Sequence, residues 1–426
     1  MSVANVHTNG ISRRRLLQAG GALGVLGAIS TATPAWAWNS RRSVAGGDLD
    51  TMPPEDVWDA GADPVVRRLF EEEGIARIDE LNALLRPWTR NDQALPAGLP
   101  ADLVAFIEDA RRAPAWLDQR KLADGFAFYE LRGNYTGLLY GLGSGIMSCA
   151  IPDEARAVYH SKGGEDMRDR VAKTAKLGYD VGTQNAFAPD GEMIVTCIKT
   201  RLTHSAVRHL ITTSPRWQAG GAIPAPISQR DLMITWHSLA TFIHRTLGQW
   251  NVPVTAPHAT GFLHVWQVTA HYLGVRDEYI PATWDDAQYQ SDQTLDAVLA
   301  PTQEGIELAE ILLSLVSEYD AGVTRPALDA MARYMVGSTR SGQSIGDMLR
   351  IPKRPTWDDG VRQGWPWYVA AREQGARLPG ANRLYWTFDE LLRLGVLWGV
   401  QEGPPSSIHI EMPTANRAEG SYPTPY

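Results

Sequence analysis

Arg170 to Ile211 reads RVAKTAKLGYDVGTQNAF, a short APDG break, then EMIVTCIKTRLTHSAVRHLI, and its periodicity decides the fold. Glu165 to Leu177 has the polar pattern of a helix, with Gly178 placed to cap it. Arg170, Lys173 and Thr174 stand at i, i+3 and i+4, so they share one face. The turn Pro189-Asp190-Gly191 separates it from a second, strongly periodic helix over Glu192 to Ile211. His204 lies in that helix, with Arg201 and Arg208 one turn to either side. His204 and His209 are five residues apart, about 140° around a helix, so they cannot chelate one metal ion together. An imidazole between two guanidinium groups suits a ligand that offers both a metal and carboxylates, as haem does with its propionates. A packed core histidine and a solvated Arg/Lys face are the plain alternatives, and spacing leaves both open.

Outward from this stretch the chain reads as all-α. Apolar residues recur at helical spacing from Val66 to Leu85, and Asp102–Ala110 and Asp118–Leu131 are further helical segments. Leu232–Trp250, Thr260–Leu273, Glu304–Tyr319, Leu328–Met335 and Thr387–Gly399 continue the pattern. Arg350 to Trp367, with its prolines and tryptophans, reads as a wrapping loop. Gly133 to Ile151 is the most hydrophobic stretch, and Gly133, Gly137, Gly141 and Gly145 fall every four residues along it. Its polar Asn134, Thr136, Ser144 and Ser148, and the lack of a basic flank, favour a buried helix over a membrane span. The bare stripe would let a helix, a flat cofactor or a long apolar substrate come close.

Composition excludes several function classes. The 426 residues are 44% hydrophobic and 21% charged with net charge −8, which gives no basic field for nucleic acid. Cys149 and Cys197 are the two cysteines. They can build neither a Cys-x-x-Cys metal site nor a Cys-x-x-Cys-His haem attachment, and whether they pair is open. His237, His244, His258, His264 and His271 are spaced near seven but lack interleaved carboxylates, so they are expected to hydrogen-bond within the core.

Ser12-Arg13-Arg14-Arg15-Leu16-Leu17, an apolar run to Ile29 and Ala35-Trp36-Ala37 have the form of a twin-arginine signal with its cleavage site. Residues 1–37 carry three arginines and no acid, so the remainder carries −11 rather than −8. The expected organisation is this leader, one helical domain over residues 38–400, and a poorly ordered tail over 401–426. The expected product is a secreted monomer handled by the twin-arginine export machinery, with no stable membrane span.

The leader, Arg170-x-x-Lys173-Thr174, Lys176-Leu-Gly-Tyr-Asp-Val-Gly-Thr183-x-Asn185-Ala-Phe187 and Lys199-Thr-Arg-Leu-Thr-His204-x-Ala-Val-Arg208-His209 together resemble the latex clearing proteins. These are secreted rubber oxygenases of actinobacteria, and the likeness is densest from Glu154 to Trp217. The resemblance implies a globin-like helical core around a non-covalent haem b. It also implies cleavage of cis-1,4-polyisoprene double bonds by O2 to aldehyde and ketone ends. By position, His204 matches the proximal iron ligand and Lys173 a distal lysine able to take the sixth position. Glu154 matches the proposed base, and Arg170 and Thr174 match polar neighbours of the haem. Arg201, Arg208 and His209 are expected to help hold it, whereas contacts after residue 280 cannot be placed. Two other readings stay open: a haem oxygenase of the same fold taking a small terpenoid or lipid, and a secreted haem-binding protein without oxygenase chemistry.

Overall fold

The computed structural model describes residues 43–45, 54–219, 225–401 and 408–422. The expected leader and its cleavage site lie outside them. Among the described residues the protein is all-α; there is no named strand, only three isolated bridges such as Ser161 with Asn416.

The centre is a pair of long helices that contact each other backbone to backbone. Helix α1 (Ala62–Arg68), α2 (Ile75–Leu85) and α3 (Ala101–Ala110) precede them. Helix α4 (Gln119–Leu138) begins at Asp118, whose carboxylate accepts from the Arg120 and Lys121 amides. It runs on through a π-helical segment (Leu139–Ser144), Gly145–Met147 and a 3-10 turn (Ser148–Ala150). A Cβ on Gly125 of α4 would come within 2.5 Å of the Gly261 carbonyl, so glycine is required for the two helices to meet there. Phe128 stacks on Phe262 with centroids 4.5 Å apart, which fixes the register beside this contact.

Helix α5 (Pro152–His160), α6 (Met167–Asp180) and α7 (Met193–Ile211) follow. Asp166 caps α6 by accepting from the Asp169 amide at 3.0 Å. Gly178, expected as the cap at the other end, lies inside α6. Lys176 bonds both Asp180 (2.8 Å) and Glu192 (2.6 Å) and so carries the helix past the glycine toward α7. Helix α8 (Gln229–Trp236, a π-helical segment His237–Thr241, then Phe242–Gln249) and α9 (Ala256–Tyr272) complete the inner layer. Gly261 belongs to α9. Two of the five histidines meet the core expectation directly. His237 bonds Thr241 (2.8 Å) and Gln290 (3.1 Å), and His264 accepts from the Asp118 amide at 2.9 Å. His244 stacks on Trp284 instead, His271 bonds Asp277, and His258 stands on the first turn of α9.

The outer layer is α10 (Trp284–Gln293), α11 (Gln303–Ser317), α12 (Arg325–Val336), α13 (Pro355–Gly375) and α14 (Ala381–Gln401). Helix α13 corrects the expected wrapping loop. Pro355 sits in its first turn, where a missing N–H costs nothing, and Pro366 lies on the exposed side. Trp365, Val369 and Arg372 recur at helical spacing and are buried, with Trp365 against Trp250 at 4.8 Å. Packing of that face outweighs the local signals for a loop.

The tail is corrected too. Residues 408–422 pack back across the molecule, burying Ile408, Met412 and Arg417. Asn82 bonds both backbone groups of Met412, at 2.9 and 3.0 Å. Thr203 donates to the Glu411 carbonyl and Asn416 to that of Leu210, so the tail clasps α7 at two points. No helix among the described residues is long and apolar enough to cross a membrane. The glycine stripe is part of α4, and Cys149 and Cys197 are buried free thiols.

Candidate active site

Three side chains from α5, α6 and α7 come within electrostatic reach of one another: Arg170 acts on both Glu154 and His204, and all three are deeply enclosed by protein while keeping some accessible surface. The first is His204. Its ring makes no hydrogen bond among the described residues, and burial beside Arg208 and Arg170 pushes its pKa down to about 3. At neutral pH it is an uncharged imidazole with a free lone pair, the state that ligates a metal.

The second is Glu154 on α5. Burial pushes its carboxyl up to about 8, with Asp231 and Asp153 adding to the rise, while a hydrogen bond from Thr235 and the charge of Arg170 oppose it. The Thr235 hydroxyl donates to Glu154 Oε1, and Thr235 is held on α8 by its own contact with the Asp231 carbonyl at 3.0 Å. The third is Arg170 on α6. Its guanidinium has neither an ion pair nor a hydrogen bond among the described residues, and burial lowers its pKa against the pull of Glu154 and Asp169. A buried cation without a partner is costly, so it marks a position shaped for an anion, a developing negative charge or a polar ligand.

Part of the glycine stripe is bare. A Cβ on Gly137 or Gly141 would meet nothing within 4 Å, and Gly141 is exposed although it lies in the most hydrophobic stretch. The neighbouring backbone is the π-helical segment Leu139–Ser144, a distortion that concentrates at functional sites.

The other expected residues are used differently. Arg201 is not free to face a ligand, because Nε and Nη2 bond the Asp59 carboxylate at 2.8 and 2.9 Å. Arg208 bonds Asp63 through Nε (3.0 Å) and Nη2 (2.6 Å) and the Ile227 carbonyl through Nη1 (3.0 Å). These two arginines anchor α7 to the start of α1 through the chain's own carboxylates. His209 stacks on Phe70 at 4.8 Å, outside the cluster. Lys173 pairs with Asp169 at 2.7 Å, and Thr174 is exposed with its hydroxyl on the Arg170 carbonyl. Thr235, Asp59 and Asp63 carried no signal in isolation. Their importance comes from partners 81 to 145 residues away.

The residues present fit a haem, whose iron the neutral His204 imidazole would hold. No group of three or more His, Cys, Asp or Glu able to hold a metal ion occurs among the described residues. The family described as ER-bound oxygenase mpaB/B'/Rubber oxygenase, catalytic domain, matches residues 130–373, a span that holds Glu154, Arg170 and His204. The chain belongs to this rubber oxygenase family. A rubber oxygenase of Streptomyces sp. (strain K30) is 51% identical over 415 residues, covering 96% of this chain and 99% of that one. The structure of latex clearing protein LCP in the closed state superposes with a TM-score of 0.77 at 51% identity, covering 89% of this chain and all of that one. The family model's match ends at residue 373, within α13, whereas the identity to the Streptomyces rubber oxygenase runs over 415 residues.

Proposed function

We propose that the protein is a haem-dependent dioxygenase that cleaves the double bonds of cis-1,4-polyisoprene with O2. One observation carries the reading: a neutral, unbonded His204 and a protonated Glu154 both lie within electrostatic reach of a partnerless Arg170, in a chain half identical to a rubber oxygenase. A non-covalent haem b held by His204 would supply the O2-binding iron and the redox chemistry of the cleavage. Both oxygen atoms then leave in product, one in the aldehyde and one in the ketone end.

The protein's own groups have separate tasks. Gly137 and Gly141 leave room along α4 for an apolar chain beside the reacting centre. The Thr235 hydroxyl orients Glu154, whose ionised form takes an allylic proton from the isoprene unit and gives it back to the same carbon before the two carbonyl ends are released, so that no proton is lost overall. Arg170, with no competing carboxylate bonded to it, stabilises negative charge that develops as the proton leaves. Lys173 would be available to hold the cofactor only after releasing Asp169, so that role would be coupled to breaking the pair. Arg201, Arg208 and His209 support the cofactor indirectly by holding α7 in place. We assign residues 1–37 to a twin-arginine leader and export to the extracellular space. Residues 38–422 form the catalytic unit.

The test is purification followed by an absorbance spectrum and incubation with polyisoprene. A Soret band, and oligo-isoprenoids with one aldehyde and one ketone end, are expected. A protein that gains no Soret band on adding haem overturns the cofactor, and conversion of a small terpenoid but not polyisoprene overturns the substrate.

A further inference from the structure

The hairpin of α13 and α14 is built inside out. Amphipathic surface helices turn their charges to water and their large apolar residues to the core. Here the charges face inward. Arg372 and Asp389 are buried and paired across the hairpin, and Asp389 also accepts from the Asn134 side chain at 3.2 Å. Glu373 pairs with Arg132 at 3.1 Å, and Glu390 accepts from the Tyr179 hydroxyl. The outward face is apolar: Trp367 is 75% exposed, Leu384 70%, Leu391 64% and Phe388 58%. Between Gln363 and Gln374 every exposed residue of α13 is uncharged, and so is every exposed residue of α14 from Leu384 to Leu391. Arg377 and Arg383 stand only at the turn.

We propose that this face is a docking surface for the hydrocarbon polymer itself, which holds the enzyme on a rubber particle. The inference rests on the substrate reading above. A water-borne enzyme meets an insoluble polymer as a surface, and an apolar face whose exposed residues over 363–374 and 384–391 carry no charge matches a phase that offers no polar group. A bilayer is matched less well, because interfacial helices combine their apolar face with a basic polar face that meets anionic headgroups. The position supports the same occupant. Helix α14 lies directly on α4, with its glycine stripe, and on α6, with Arg170, while α13 packs on α12 and reaches α4 through Glu373. A polymer surface on the outer face is therefore one helix thickness, about 10 Å, from the elements of the site.

The test uses the full-length holoenzyme and coat-free particles of synthetic cis-1,4-polyisoprene. Adsorption is read as depletion from the supernatant, and turnover is compared on the particles and on a short oligo-isoprene dispersed in detergent. A variant combining Trp367→Gln, Leu384→Gln, Phe388→Gln and Leu391→Gln is expected to adsorb about tenfold more weakly or worse. Its turnover on particles should fall by a similar factor, while turnover of the dispersed oligomer stays within about twofold. Val323→Gln, which removes an apolar side chain 78% exposed in a different turn, should change neither. The single variants Trp367→Gln and Phe388→Gln, checked by circular dichroism, replace the combined one if it does not fold. Unchanged adsorption overturns the proposal. So does an equal loss on both substrates, which assigns the patch to the passage of substrate. So does capture of the unmodified enzyme by phosphatidylcholine or phosphatidylserine vesicles as tight as by polymer. Sedimentation that shifts from dimer to monomer on substitution also overturns it in favour of a contact between copies. An enzyme that adsorbs but cleaves neither substrate refutes the function and not the docking.

Discussion

Glu154 ties burial to catalysis in a form that pH can read. Its carboxyl rises from the ordinary 4.5 to about 8 because burial disfavours the charged form, and the Thr235 hydroxyl and Arg170 only partly offset this. At pH 7 roughly one tenth of the molecules then carry the carboxylate, and at pH 9 roughly nine tenths. If that carboxylate takes the proton in the slow step, kcat should climb about tenfold between pH 7 and 9 and then level off. Stability runs the other way. The folded pKa lies above the unfolded one, so the folded protein keeps its proton where the unfolded chain has lost it. The benefit is intact below about pH 4.5 and is lost as pH rises to about 8, at most on the order of 5 kcal/mol. Glu154→Gln keeps an oxygen for the Thr235 hydroxyl but cannot ionise. Its turnover should fall to a small fraction at every pH, and its melting temperature should drop less than that of the native protein between pH 5 and 8. The assay is product carbonyl formation from pH 6 to 9.5, beside thermal melts in the same buffers. A flat native pH–rate profile, or Glu154→Gln turning over at the native rate at pH 9, would refute the reasoning.

Three further outcomes are expected. His204→Ala should lose the Soret band while His258→Ala, on the first turn of α9, keeps it; the opposite result moves the ligand. Arg170→Met removes an unpartnered buried charge, so the haem-free protein should become more stable by about 1–4 kcal/mol in denaturant melts while turnover collapses. A loss of stability would show that a partner had been removed. Gly141→Ala should stabilise α4 by up to about 1 kcal/mol. Gly141→Phe should leave the melting temperature nearly unchanged yet block long substrates, and unimpaired cleavage of polymer would place the substrate elsewhere.

The fold class was legible in the sequence because apolar spacing of three and four runs through most of the chain. Helix α7 with His204 was the clearest case, bounded by Pro-Asp-Gly and periodic to Ile211. Helix α13 was not legible, because Pro355, Pro366 and several glycines argue locally against a helix that Trp365, Val369 and Arg372 stabilise by packing. The tail failed for the same reason: its composition reads as disorder, and only Asn82, 330 residues away, shows what holds Met412. At the site, the residue types were visible but not their partners. Arg201 and Arg208 looked like free charge beside His204, since the aspartates that take them lie more than 140 residues upstream. Spacing placed Lys173 on a face with Arg170 and Thr174, but its role, like that of Glu154, came only from family resemblance. The structure adds a physical reason for Glu154, its burial, and a competing partner for Lys173, Asp169.

The C-terminal strap sets an order of assembly. Residues 408–422 are the last described part of the chain to be synthesised, yet they bond Thr203 and Leu210 on the helix of His204 and cover Asn82 on α2. A chain in which these residues have not yet emerged lacks these contacts, so α7 is not fully fastened until they do. Contacts of such sequence separation also form late in folding, after local helices are in place. If His204 holds the proposed cofactor, uptake is easiest before the strap closes on α7. A short truncation or a bulky tag at this end should act on cofactor loading more strongly than its distance from the active site suggests.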